Sequence, residues 1–157
     1  MGNLLGGETA QILLRLTAAT LVGGLLGLNR ELKGKPAGMR THALVTLGAA
    51  TVALLCVPPG AGHPASDAFS RVIQGVITGI GFLGAGVILR DDTHQRVHGL
   101  TTAAGVWVAA SLGLACGAGY WVPTLTSAVL TIIVLTFGGR VERWVNKSFR
   151  GDKYPPT

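Results

Sequence analysis

Asp67, Arg71, Gln74 and Thr78 succeed one another at alternating spacings of four and three residues. On a helix they therefore fall within about 60° of each other, as one polar stripe. Its head is a potential ion pair, since Asp67 and Arg71 stand at i and i+4. Gln74 and Thr78 below add hydrogen-bonding groups without charge, and Gly81 and Ala85 continue the line with no bulky side chain. Two kinds of chemistry suit such a stripe. It can glue one apolar helix to another through side-chain hydrogen bonds, or it can line a wet path for an ion or solute. Glue is the commoner use.

Arg15 is the one charge clearly inside an apolar run, close to Gln11 and Glu8. Either it snorkels to an interface or it pairs with a carboxylate, because an unpaired charge in hydrocarbon is expensive. The sharper expectation is a single cluster of Arg15, Asp67 and Arg71, with Gln74 and Thr78 beneath it facing protein.

These residues need elements to carry them, and the chain offers hydrocarbon-compatible helices. No charged side chain occurs from Gly99 to Gly139. A bilayer span needs about 20 mostly apolar residues, so this stretch accommodates two, with a turn at Gly117–Pro123. Mean hydropathy is +0.49, and 13% of residues are charged, against about 25% in soluble domains. Five spans are predicted, at Gln11–Leu28, Thr41–Val57, Val72–Leu89, Leu100–Cys116 and Val122–Phe137. A soluble five-helix bundle would need a polar face on every helix, which the last three segments lack. The fold class expected is all-α and polytopic, with a transmembrane domain over residues 8–139. An amphipathic cytoplasmic tail, 140–151, prolongs the fifth span or lies on the inner leaflet, and 152–157 is expected to be disordered. The acidic Glu8 before the first span and the basic loop after it are the reverse of a secretory leader, so that segment should remain as a span.

The net charge of +6 could suggest nucleic acid, but its distribution reads as topology. All of the 13 lysines and arginines except Arg15 and Arg71 fall in the first loop, the third loop or the tail. The positive-inside rule makes that side cytoplasmic, with the N-terminus outside and the C-terminus inside. Tyr120 and Trp121 then sit at the outer aromatic belt.

On the cytoplasmic face, Arg30, Glu31, Arg40, Asp91, Asp92, Arg96 and His98 gather at span ends. Adjacent Asp91 and Asp92 offer the one or two carboxylates that a hydrated magnesium ion uses, although a solvated acidic turn is the ordinary meaning of such a pair. Thr101 and Thr102 follow Gly99 as candidate caps of the fourth span, and Arg40-Thr41 occupies the equivalent start of the second. Helix N-termini of this kind attract anions. Gly75 and Gly79 form a close-packing G-x-x-x-G motif, with Gly86 on the same face. They predict tight packing against a helix of the same chain or of a second copy, the latter in a twofold homodimer.

Enzyme chemistry finds little support. His42, His63, His94 and His98 include no i,i+4 pair and have no neighbouring cysteine, which argues against zinc. No nucleophile elbow or phosphate-binding glycine loop occurs. Cys56 and Cys116 both fall at outer span ends, where a disulfide is feasible, but small packing residues are the usual role of cysteines in apolar runs. No cofactor is expected, and magnesium is only weakly suggested.

Two alignments hint at an internal repeat. An offset of 61 pairs Gly38 with Gly99, Thr41 with Thr102 and Ala49 with Ala110; an offset of 60 pairs Arg30 with Arg90 and Cys56 with Cys116. Chance matches are common in such sequence, and the pattern is compatible with a parallel two-helix repeat plus one added span.

Several ordered motifs carry a family resemblance. Gly27-Leu28-Asn29-Arg30-Glu31, then Ala37-Gly38-Met39-Arg40-Thr41-His42, resembles the first cytoplasmic loop of the MgtC/SapB membrane proteins. Gly79-Ile80-Gly81-Phe82-Leu83-Gly84-Ala85-Gly86-Val87-Ile88 is similar to their glycine-rich third span, and Val97-His98-Gly99-Leu100-Thr101-Thr102-Ala103-Ala104 with Trp107 to the loop and fourth span. Arg15-Leu16, Asp67 and Arg71 fit as well. The resemblance covers about Glu8 to Gly119. It implies a bacterial inner-membrane protein serving adaptation to low magnesium, acting as a regulator or accessory through other membrane proteins. Longer members of that family continue into a cytoplasmic C-terminal domain, whereas this sequence runs to Thr157. A small transporter or channel using the Asp67–Thr78 stripe is the competing expectation.

Overall fold

The computed structural model describes residues 2–60, 66–91 and 96–150. Its elements in chain order are α1 (Gly2–Glu31), α2 (Met39–Cys56), α3 (Ser66–Gly86), β1 (Leu89–Asp91), β2 (Arg96–His98), α4 (Leu100–Ala118) and α5 (Trp121–Arg150). All five helices are long and apolar enough to cross a membrane. At 1.5 Å per residue, α1 and α5 each run about 45 Å, beyond the roughly 30 Å hydrocarbon core. The basic segment after Arg140 prolongs α5 as one continuous helix. Residues 152–157, expected to be disordered, lie outside the described residues.

Small residues decide which helices touch. In lipid no hydrophobic force draws helices together, so association depends on close backbone approach. Gly23 and Gly27 open one face of α1. A Cβ on Gly23 would collide with the Thr46 side chain, and one on Gly27 would stand 2.5 Å from the Gly38 carbonyl oxygen. Gly113 and Gly117 do the same from α4, against the backbone of α2 at Thr46 and Ala50. Helix α2 is thus clasped between α1 and α4. The interior is built from Ala49, Ala53, Val106, Ala110 and Leu114, with Ile80 of α3 closing one edge. Ala19, Ala50 and Cys116 fill the end of the bundle nearest the α4–α5 turn.

Helix α4 is the hub, with 56% of its most apolar stretch buried against 6% for α3 and 11% for α5. Those two lean on its flanks. Leu26, Leu112 and Ala128 seat α5, and Asn29 Nδ2 donates to Thr136 Oγ1 at 3.0 Å.

Two local features differ from the sequence expectation. The third span begins earlier, at Ser66, and stops at Gly86, so Leu89 belongs to a strand instead. The third loop is a short antiparallel hairpin pairing Leu89 with His98, Arg90 with Val97 and Asp91 with Arg96. Strands of three residues are too short for alternation to be recognised. Arg90, which the offset of 60 aligns with Arg30, therefore lies on β1 and not on a helix. Gly99 joins hairpin to helix at φ 92°, with the Val87 carbonyl where its Cβ would be, so glycine is required there. At its other end α4 closes in a Schellman turn, with Gly119 at φ 81° and Tyr120 N–H donating to the Ala115 carbonyl at 2.9 Å.

Candidate functional site

The last turn of α1 carries Arg30 into the bundle, where it is 4% exposed. Its position follows from Gly23 and Gly27, which bring α1 onto α2 closely enough for the guanidinium to reach α4. There Nη2 donates to the hydroxyl of Thr102. Thr102 is the third residue of α4 and is 2% exposed. The sequence predicts a helix cap at Thr102; the residue before α4 is instead Gly99, which has no side chain to cap with. The Thr102 hydroxyl holds the arginine.

His42, fully buried one turn into α2, lies beside this pair. Its Nδ1 is 3.0 Å from the Gly38 carbonyl, and its ring is within electrostatic reach of Arg30. Thr46, one turn further on, donates to the carbonyls of His42 and Ala43 at 3.0 Å each. Gly105 faces the His42 ring, with room for a Cβ no closer than 3.4 Å to Nε2. Arg30 Nε and His42 Nε2 are both buried without a hydrogen-bond partner. A charged donor and a ring nitrogen are thus left unsatisfied inside the protein, where each such group costs about 1–3 kcal/mol.

The neighbouring Glu31 is exposed, and its Oε2 accepts the Met39 N–H at 3.0 Å. That carboxylate occupies the start of α2, where the helix dipole favours negative charge. Arg40, Thr41 and Thr101 are exposed. Asp91 lies on β1, while Asp92, His63 and His94 fall outside the described residues. Among the described residues no group of three His, Cys, Asp or Glu side chains could hold a metal.

At the opposite end of the bundle Arg15 turns inward. Its Nη1 donates to the carbonyls of Val57, at 2.8 Å, and Gly117, at 2.9 Å. Both carbonyls belong to the C-terminal ends of helices, α2 and α4, which carry the negative pole of the dipole. The sequence reading groups Arg15 with Asp67 and Arg71. The hydrogen bonds that Arg15 makes to Val57 and Gly117 are to backbone oxygens, which offer partial negative charge. Asp67, Arg71, Gln74 and Thr78 do share the predicted stripe on α3, but they are exposed on the outside of the helix bundle. Gly75, Gly79 and Gly86 are exposed too, with open space where a Cβ would stand. Close packing within the chain is performed by Gly23, Gly27, Gly113 and Gly117.

Sequence reasoning missed His42 and Thr46. A usable signal was present: polar residues at i and i+4 within a span are expensive and seldom idle. Cys56 and Cys116 are free thiols, the second fully buried against Ala19 and Ala50. Two apolar grooves flank α4. One of about 510 Å³ runs between α3 and α4, past Ile80, Gly84 and Trp107. The other, about 270 Å³, lies between α4 and α5 at Val108, Leu130 and Val134.

Comparison with known proteins gives consistent matches. The MgtC family model matches residues 16–144. Protein SrpB of Synechococcus elongatus is 39% identical over 153 residues, covering 91% of this chain and 84% of that protein. A putative magnesium transporter, YhiD of Escherichia coli K12, is 37% identical over 147 residues, covering 90% of the chain and 67% of YhiD. Protein MgtC of Salmonella typhimurium is 41% identical over 123 residues, 78% of the chain; these span about half of MgtC, 49%. No solved structure matches.

Proposed function

The chain belongs to the MgtC family, and from that premise we propose that it is an inner-membrane regulatory or accessory protein for adaptation to low magnesium, acting by contact with other membrane proteins. The name of YhiD supports the link to magnesium. What favours contact over conduction is the location of polarity. The space shared by α1, α2 and α4 is closed by backbone approach at Gly23, Gly113 and Gly117. The polar stripe of α3 and the glycines beside it are on the outer surface, where another protein can cover them.

In this reading a second copy packs on the Gly75/Gly79 face of α3, forming a homodimer that shelters Gln74 and Thr78. The protein carries out no catalytic step. The opposing reading, a magnesium transporter, draws on the name of YhiD and would need two protomers to wall a path between their stripes. Photocrosslinking from Gly79 and Phe82 in native membranes under magnesium limitation tests the proposal. It predicts adducts with a second copy or with another integral membrane protein; lipid adducts alone would refute it.

A further inference from the structure

Among the described residues Arg30 is the one buried charge, and its hydrogen-bond partner does not neutralise it. Arginine keeps its proton at any working pH. A full positive charge therefore lies 4% exposed against a neutral hydroxyl. Burial without an opposite charge is strongly unfavourable. Glu31, next in sequence, is exposed and holds the Met39 N–H.

The hydrogen-bond vacancies specify what is needed. Nε–H of Arg30 wants an acceptor. The Gly38 carbonyl can only accept, so the hydrogen on His42 sits on Nδ1. In the neutral ring Nε2 is then a lone pair, and it wants a donor. The positive poles of α2 and α4 open at the same end of the bundle, adding to the preference for an anion. A water molecule would meet the hydrogen bonds but not the charge. Chloride or sulfate would meet the charge but has no O–H for Nε2.

We propose that Arg30, His42 and Thr102 form a binding site for a small protic oxyanion of the hydrogencarbonate or hydrogen phosphate class. Its O⁻ accepts from Arg30, its O–H donates to His42 Nε2, and Thr102 positions the guanidinium. Gly105, which has no side chain, faces the ring edge at Nε2. This site is independent of the contact function, and its test leaves that function untouched.

The test uses the full chain in detergent micelles, heated with sodium hydrogencarbonate, phosphate, sulfate or chloride at matched ionic strength and neutral pH. The first two should raise the melting temperature saturably, by about 5–10 °C at roughly a hundredfold above half-saturation; sulfate and chloride should do much less. Arg30→Met should abolish the response. His42→Leu should erase the discrimination between phosphate and sulfate, whereas Arg40→Gln should change nothing. Should Arg30→Met fail to fold, the unaltered protein still decides the matter: it should broaden the phosphorus-31 and carbon-13 signals of the two anions, and Thr102→Val should weaken that broadening. Equal stabilisation by all four salts, no line broadening, or stabilisation by phosphatidylglycerol nanodiscs and not by free anions would overturn the assignment.

Discussion

Arg15 on α1 and Gly117 on α4 are joined by a 2.9 Å hydrogen bond across 102 residues of sequence, from Nη1 to the backbone carbonyl. The same nitrogen donates to the carbonyl of Val57, the residue that closes α2, at 2.8 Å. One arginine thus fastens the C-terminal ends of two helices to a third. Arg30 lies fifteen residues later, about 22 Å along α1, and fastens α1 to the N-terminal end of α4 through Thr102. At 100° per residue the two arginines lie within about 60° of each other around the helix. A single face of α1 therefore clamps the bundle at both ends.

Replacing Arg15 with leucine should destabilise the bundle by about 2 kcal/mol, because hydrogen bonds from a charged group are each worth about 1.5–3 kcal/mol and the site is only partly buried. Arg15→Lys should recover part of this. The exposed Arg40→Gln should stay within about 0.5 kcal/mol. Unfolding in mixed detergents measures all three. A neutral Arg15→Leu would show that this clamp does not hold the helices.

The glycines should divide into two classes. Gly23→Ala and Gly117→Ala force a methyl group into the Thr46 side chain and the Ala50 backbone respectively, and should cost about 1–3 kcal/mol. Gly79 meets open space, so Gly79→Ala should leave the protomer unharmed or stabilise it by up to about 1 kcal/mol through helix propensity. If a second copy covers that face, the bulkier Gly79→Leu should lower dimer yield without lowering protomer stability. Light scattering paired with thermal unfolding separates the two effects. Equal losses of stability at Gly23 and Gly79 would contradict this division.

The five spans were legible because hydrocarbon imposes a length and an apolar composition that few other environments share. The choice among glycine motifs was not. Gly23-x-x-x-Gly27, Gly75-x-x-x-Gly79 and Gly113-x-x-x-Gly117 are equivalent as sequence, and only the tertiary arrangement determines which pairs meet a neighbour. Arg15 was recognised as costly, yet its partners are backbone carbonyls, which every residue possesses and no spacing reveals. Arg30 and Thr102 were both singled out at span ends, but their pairing across 72 residues depends on how α1 and α4 cross. The repeat alignment would have matched Thr102 with Thr41, which is exposed.

Orientation can be read by single-cysteine labelling in a Cys56→Ala, Cys116→Ala background. A cysteine at Lys35 should react with an impermeant maleimide only after membrane permeabilisation, and one at Gly60 in intact cells. The reverse pattern would invert the topology inferred from the basic loops.

Ion flux into proteoliposomes tests most directly whether the protein acts by contact or by conduction. With the full chain reconstituted and a magnesium-sensitive dye inside, entry of Mg²⁺ should not exceed that of empty vesicles, because the bundle interior is closed at Gly23, Gly113 and Gly117. Saturable Mg²⁺ entry that disappears in the Gln74→Leu, Thr78→Val double variant would contradict action by contact and make the α3 stripe a pathway.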